Sequence, residues 1–251
     1  MLETHDLTLT RGKATILRGL SLSLRAGEVT AICGPNGAGK STLLAALAGL
    51  DEAEAAHVAL NGMALAQMSP RERAQRIGYL PQAGEVAWNI DVATLAGLGR
   101  LPWRTGAAED AAAVRAALDA LDLAGFEQRS VQSLSGGERA RALLARVLAG
   151  QPGWILADEP LAALDLSHQL ALLSRFAEAG REGKGVVLVL HDLGHAMNHA
   201  DRVVVLDGGR IVADGPPEQA LAEEIIASVW GVSARWLGVP GGYALVPACS
   251  T

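Results

Sequence analysis

Apolar and polar positions alternate along residues 5–30: Leu7 and Leu9, then Ile16 and Leu17, then Leu20, Leu22 and Leu24, with Gly12 and Gly27 at the turns. A period of two predicts antiparallel sheet with one buried face. Val29-Thr30-Ala31-Ile32-Cys33 is a short continuous apolar run entering a glycine-rich loop, and Ser41 to Leu50 has helical composition that stops at Gly49. Ala107 to Leu123 carries Val114, Leu118 and Leu121 at helical spacing and predicts an amphipathic helix. Later apolar runs at Trp154–Ala157, Val186–Leu190 and Val203–Leu206 predict buried strands, separated by helical segments near Gln169–Gly180 and Leu193–Ala200. Strand and helix in alternation predict a parallel sheet with crossover helices. Asp207-Gly208-Gly209-Arg210 predicts a hairpin turn.

These elements suggest one α/β core formed by residues 1–82 and 151–230, a mostly helical insertion over 83–150, and a Gly- and Pro-rich appendage over 231–251. Half of the 251 residues are apolar, but the longest runs are strand-sized, well short of the roughly 20 residues that cross a bilayer. The N-terminus lacks a charged-then-apolar secretory signal, so a cytosolic chain is expected. Cys33 and Cys249 have no metal-ligand spacing, and no disulfide is expected. A net charge of −6 argues against a sequence-independent nucleic-acid binder. Arg71, Arg73 and Arg76 read as a solvated helix face.

Gly34-Pro35-Asn36-Gly37-Ala38-Gly39-Lys40-Ser41-Thr42 is a full G-x-x-x-x-G-K-[ST] phosphate loop between a strand and a helix. Its glycines let backbone N–H groups close around phosphates while the helix presents its positive end. Lys40 is expected to reach the β- and γ-phosphates of ATP, and the Ser41 hydroxyl to ligate Mg²⁺. Asp158 ends the apolar run Trp154–Ala157, at the strand edge where ligands bind in such sheets, and is the expected Mg²⁺ partner directly or through water. Ser135, Gly136 and Gly137, preceded by Leu134 and followed by Glu138, form a second anion-binding element at a helix start.

The order phosphate loop, Leu-Ser-Gly-Gly-Glu, then Ala157-Asp158-Glu159-Pro160 resembles the ATP-binding cassette (ABC) ATPases over nearly the whole chain. The resemblance implies a P-loop NTPase, RecA-like core with an N-terminal antiparallel β-subdomain and an inserted α-helical subdomain. It implies that Glu159 polarises the attacking water, that Gln82 touches Mg²⁺ or that water, and that His191 reaches the γ-phosphate. It also implies that Ser135–Gly137 closes over ATP held by a second copy, making a homodimer, and that Asp165 belongs to a loop communicating between the two sites. Ala163 stands where a serine is frequent in the family. Arg11 occupies the position where the family often stacks an aromatic residue on adenine. Its guanidinium either stacks on the purine or stays exposed with adenine packed elsewhere.

Three classes of ABC ATPase bear on the choice. Proteins acting on nucleic acids or ribosomes generally have tandem cassettes, coiled-coil insertions or zinc-binding cysteines, which this sequence lacks. A soluble ATPase of cofactor assembly, such as the iron–sulfur type, is the alternative reading. An importer subunit is favoured because Val92-Ala93-Thr94-Leu95-Ala96-Gly97-Leu98-Gly99-Arg100-Leu101-Pro102 is similar to a stretch of the iron-siderophore, haem and cobalamin import ATPases. Leu164–Gln169, His191-Asp192-Leu193, Asp214–Pro217 and Val229–Val232 extend that resemblance. It implies permease partners, a substrate-binding protein acting indirectly, and a peripheral place on the cytoplasmic side of the inner membrane. Trp88, Ile90 and Trp103 either line a groove for a permease helix or pack the helical part internally.

Overall fold

The computed structural model describes residues 1–50, 57–82 and 89–247. Strands β1 (Leu2–Arg11) and β2 (Ala14–Leu24) form an antiparallel hairpin, and β4 (Val58–Leu60) and β5 (Met63–Ala64) extend it in the order β2-β1-β4-β5. The sequence suggested two separate segments where β2 is continuous. Asp6 (φ 47°) and Gly19 (φ 61°) adopt left-handed backbone, and the β1–β2 register shifts between Thr4 and Leu7. Leu17 and Leu20 consequently both face the core although three residues apart.

The second sheet has the order β10-β9-β3-β8-β7-β6. Its parallel strands are β3 (Val29–Cys33), β6 (Ile77–Leu80), β7 (Trp154–Asp158), β8 (Gly185–Val189) and β9 (Arg202–Asp207). β10 (Arg210–Gly215) is the antiparallel edge, joined to β9 by the expected glycine turn. β3, β7 and β8 are buried along their whole length, which is why they read as continuous apolar runs. Alternate side chains feed two cores. Trp154, Leu156, Val187 and Val189 pack towards the hairpin sheet and α1 (Lys40–Leu47), while Ile155, Ala157, Val186 and Leu188 face the other helices.

Between β5 and β7 lie α2 (Pro70–Arg76), α3 (Val92–Gly97), α4 (Ala107–Asp119) and α5 (Gly136–Ala149). Helix α4 ends four residues before the expected Leu123. Asp122 turns left-handed (φ 53°), so Leu121 is buried in the following turn and not on the helix. Its inward face is Ala113, Ala117 and Leu118, with Val114 only half-buried. Small side chains let α4 lie close to its neighbours.

The α2 face is solvated as expected, with none of its residues buried, but Arg71 has a fixed partner. The Arg71 Nε and the Gln75 amide both donate to the Pro102 carbonyl, at 2.5 and 2.8 Å, so the α2 face is tied to the loop after α3. Trp103 packs internally: its indole N–H donates to Gly150 O at 2.9 Å and its ring lies 5.1 Å from the Arg100 guanidinium. Ile90 packs on the core, and its carbonyl accepts from Val131 N. Trp88 and Cys249 lie outside the described residues.

After β7 come α6 (Leu166–Arg181), α7 (Leu193–His199), α8 (Pro217–Ala220) and α9 (Glu223–Trp230). The appendage is a hairpin of β11 (Ala234–Leu237) and β12 (Ala244–Pro247). Trp236 donates to Leu221 O, and the Asn198 amide of α7 exchanges two hydrogen bonds with the Tyr243 backbone. Among the described residues no helix is long and apolar enough to cross a membrane.

Arg100 is the one arginine buried in this fold among the described residues, 4% exposed. It bonds to Asp110, Thr105, Gln151 and the Ala149 carbonyl at the end of α5. Substituting Arg100→Met should cost roughly 2–3 kcal/mol, because the buried Ala149 carbonyl and the Asp110 carboxylate lose a charged donor. Urea unfolding of the variant measures this; a midpoint within error of the wild type contradicts it.

Candidate functional site

The glycine loop leaves β3 at the C-terminal edge of the sheet and is pressed against β9. A Cβ at Gly34 would sit 2.1 Å from the Leu206 carbonyl oxygen, and Gly34 has φ 150°, so only glycine fits. Gly39, at φ 99°, is the N-cap of α1 and gives it no side-chain cap. The first-turn N–H groups of α1 are therefore left for an anion, and no acidic residue stands in that turn.

Lys40 is buried, and its Nζ donates to Gly34 O at 2.9 Å and Pro35 O at 3.0 Å. Burial lowers its pKa, opposed by the negative charge of Glu159 and by Cys33 and Asp158. Cys33 beneath the loop is buried, and burial pushes its thiol up to about 12, which makes it inert. Asp158, at the end of β7, is 3% exposed, and burial raises its pKa while a hydrogen bond from Ser41 lowers it. Its Oδ1 is buried with no hydrogen-bond partner.

Glu159 follows with φ 51°, a left-handed conformation rare for a side chain of this size and fixed by its N–H bond to Val189 O. Its Oε1 lies 2.5 Å from Nε2 of His191, two residues beyond the end of β8. A cleft of about 650 Å³ gathers Asn36, Gly37, Gly39, Lys40, Ser41, Thr42, Gln82, Glu159 and His191. Ile16 lines it too, a residue not singled out from sequence. A signal was present: Ile16 and Leu17 are adjacent in a strand, Leu17 fills the core, and Ile16 must therefore face the other way.

Several expected residues do not line this cleft. Ser135, Gly136 and Gly137 begin α5, where Ser135 and Glu138 form a reciprocal capping box. A Cβ at Gly137 would lie 3.2 Å from Ala163 O, so this segment rests on the loop after Glu159. Asp165 caps α6, accepting from His168 N at 3.0 Å and from the Ser167 hydroxyl at 2.9 Å. Arg11 ends β1, exposed beside the hairpin turn and outside the cleft lining.

Comparison with known proteins follows the same lines. The ABC transporter family profile matches residues 17–162. The hemin import ATP-binding protein HmuV of Pseudomonas fluorescens is 44% identical over 237 residues, spanning 92% of this chain and 93% of that protein. Its namesake in Myxococcus xanthus is 43% identical over 252 residues, spanning 96% and 94%. Among solved structures, a dimeric ATP-binding cassette bound to ADP and Pi in a post-hydrolysis state superposes with a TM-score of 0.78 at 25% identity, covering 86% of this chain and 99% of that one. An inward-facing ABC transporter described as metal-chelate type gives 0.80 at 25% identity, covering 99% and 97%.

The capping role of Asp165 has a pH signature. Hydrogen bonds from His168 N, Ser167 and the His168 ring hold its carboxyl down at about 2. A folded value below the unfolded one, about 3.9, stabilises the protein above that unfolded value and loses the contribution as pH falls through the folded one. Asp165→Ala should therefore be less stable than wild type at pH 6, with the gap narrowing between about pH 4 and 2. Denaturant midpoints across that range test it; a pH-independent gap is the contrary result.

Proposed function

This chain belongs to the ABC transporter family, and from that premise we propose that it is the ATP-hydrolysing subunit of an importer for haem or a related iron chelate. The observation that carries the hydrolytic part is the short Glu159–His191 contact at the mouth of the phosphate-loop cleft. The import part is supported by relatives named as hemin import proteins along nearly their full length.

In this reading the free N–H groups of α1 and the loop receive the β- and γ-phosphates, and Lys40 turns from Gly34 O and Pro35 O towards them. Ile16 offers an apolar wall to the nucleoside side of the cleft, and Arg11 would reach the base only by stacking over its face. Glu159 holds the attacking water, whose oxygen bonds to the γ-phosphorus as the bond to the bridging oxygen breaks and ADP leaves. His191 fixes the Glu159 carboxylate and faces the γ-phosphoryl group being transferred to water. Ser41, Gln82 and Asp158 offer hard oxygen donors that suit Mg²⁺, and the unpartnered, buried Asp158 Oδ1 fits a cation beside it. When bound, Mg²⁺ neutralises charge on the phosphates.

Ser135–Gly137 lies outside its own chain's cleft, which supports a dimer in which each copy completes the other's site. Asp165 ends the loop on which that segment rests and would face the partner across that interface. A permease in the inner membrane, receiving cargo from a binding protein, would drive that closure from the cytoplasmic side. A soluble cofactor-assembly ATPase remains the competing outcome of the test.

Lys40→Ala should lose tight ATP binding, because the point charge facing the phosphates is gone. Glu159→Gln should bind ATP, hydrolyse it at least about a hundredfold more slowly, and shift to a dimer in size-exclusion chromatography with ATP. Normal turnover by either variant would sink the assignment. For transport, co-expression with the permease encoded beside it should give a complex that takes up haem into vesicles. Binding instead to a soluble assembly scaffold moves the function to the competing class.

A further inference from the structure

Behind the Glu159–His191 contact lies a second, smaller cavity of about 140 Å³, walled by Leu161, Ala162, Gln169 and His195 as well as that pair. Gln169 stands on the first turn of α6. Its amide nitrogen donates to Leu161 O at 3.2 Å and to Leu164 O at 3.1 Å, which commits both amide hydrogens. Only the amide oxygen remains, and it meets His195 Nε2 at 3.2 Å. An amide oxygen cannot donate, so His195 must carry a proton on Nε2.

These bonds close a ring. Glu159 continues into the 160–164 loop, the loop carbonyls hold Gln169, Gln169 holds His195, and His195 is four residues from His191, which returns to Glu159. The same loop supports the start of α5, since Ala163 O lies against Gly137. Asp192 caps α7 with bonds to Gly194 N and His195 N, so the segment joining His191 to His195 is stiff.

We propose that Gln169 and His195 are positioning residues for hydrolysis: they lock the 161–164 loop to α7, so that movement of the Ser135–Gly137 segment against the loop reaches His191 and Glu159. This rests on the hydrolytic reading above. Neither residue lines the phosphate-loop cleft, so neither touches nucleotide.

The test uses the full chain with Gln169→Leu, His195→Leu and the double variant, measuring kcat, KM and the Kd of a fluorescent ATP analogue. Each single variant should lower kcat about tenfold with KM and Kd within about twofold, as expected for misplaced groups and intact binding. The double variant should fall no further than the worse single one, because both break the same contact. His195→Gln, which keeps a donor near the Nε2 position, should recover most of the wild-type kcat. A general loss of folding would not give that rescue or that non-additivity. Should Gln169→Leu not fold, Gln169→Met carries the same expectation.

Wild-type kcat in the Gln169 and His195 variants, or additive losses, overturns the proposal. Glu159→Gln in the same assay separates the two levels. If it is inactive while the Gln169 and His195 variants are normal, only the positioning idea fails. If it is fully active, the hydrolytic reading fails and the positioning idea falls with it.

Discussion

Everything chemical in this molecule depends on one close approach, the glycine loop seated on the end of β9. Room for nothing larger than hydrogen exists between Gly34 and the Leu206 carbonyl. That seating fixes where α1 begins, and so where its unsatisfied N–H groups point. It brings Lys40 over the ends of β7 and β8, where Asp158, Glu159 and His191 emerge side by side. The parallel sheet is the means of convergence. Five strands with the same direction deliver their loops to one edge, and burial on both faces leaves that edge as the place for polar work.

Local chemistry was legible in the sequence and long-range closure was not. The phosphate loop, the helix start at Ser135–Glu138 and the acidic end of β7 are each written in under ten consecutive residues. Strands β3, β7 and β8 announced themselves because burial on both faces demands unbroken apolar runs. Helix α4 is shorter than its apolar spacing predicts because its end is set by the left-handed turn at Asp122, which a periodicity of Leu118 and Leu121 does not reveal. The places of Arg100 and Trp103 could not be read locally. Their partners, Ala149, Gly150 and Gln151, are some fifty residues away. Gln169 and His195, twenty-six apart, are a pair only once α6 and α7 are packed.

The helix caps divide the chain by use. Ser69, Asp91, Ser135, Asp165 and Asp192 each satisfy the start of their own helix. Gly39 does not, and α1 keeps its free amides. Of the described α-helices without a side-chain cap, α1 alone has no acidic residue in its first turn. The C-terminal hairpin adds a further restraint, since Asn198, one turn beyond His195 on α7, clasps the Tyr243 backbone.

The resting partners of Lys40 have a thermodynamic consequence. A lysine side chain carries about 2 kcal/mol of rotamer entropy, and here that freedom is already surrendered to Gly34 O and Pro35 O during folding. On the function proposed above, a nucleotide would exchange one set of acceptors for another on a group already held in place. The entropy cost of ordering the cation falls on the folding of the loop and not on the affinity for ligand, which is preorganisation in its plainest form. Discrimination would then rest with the acceptors themselves: two neutral carbonyls compete poorly for the ammonium with phosphate oxygens, which carry charge.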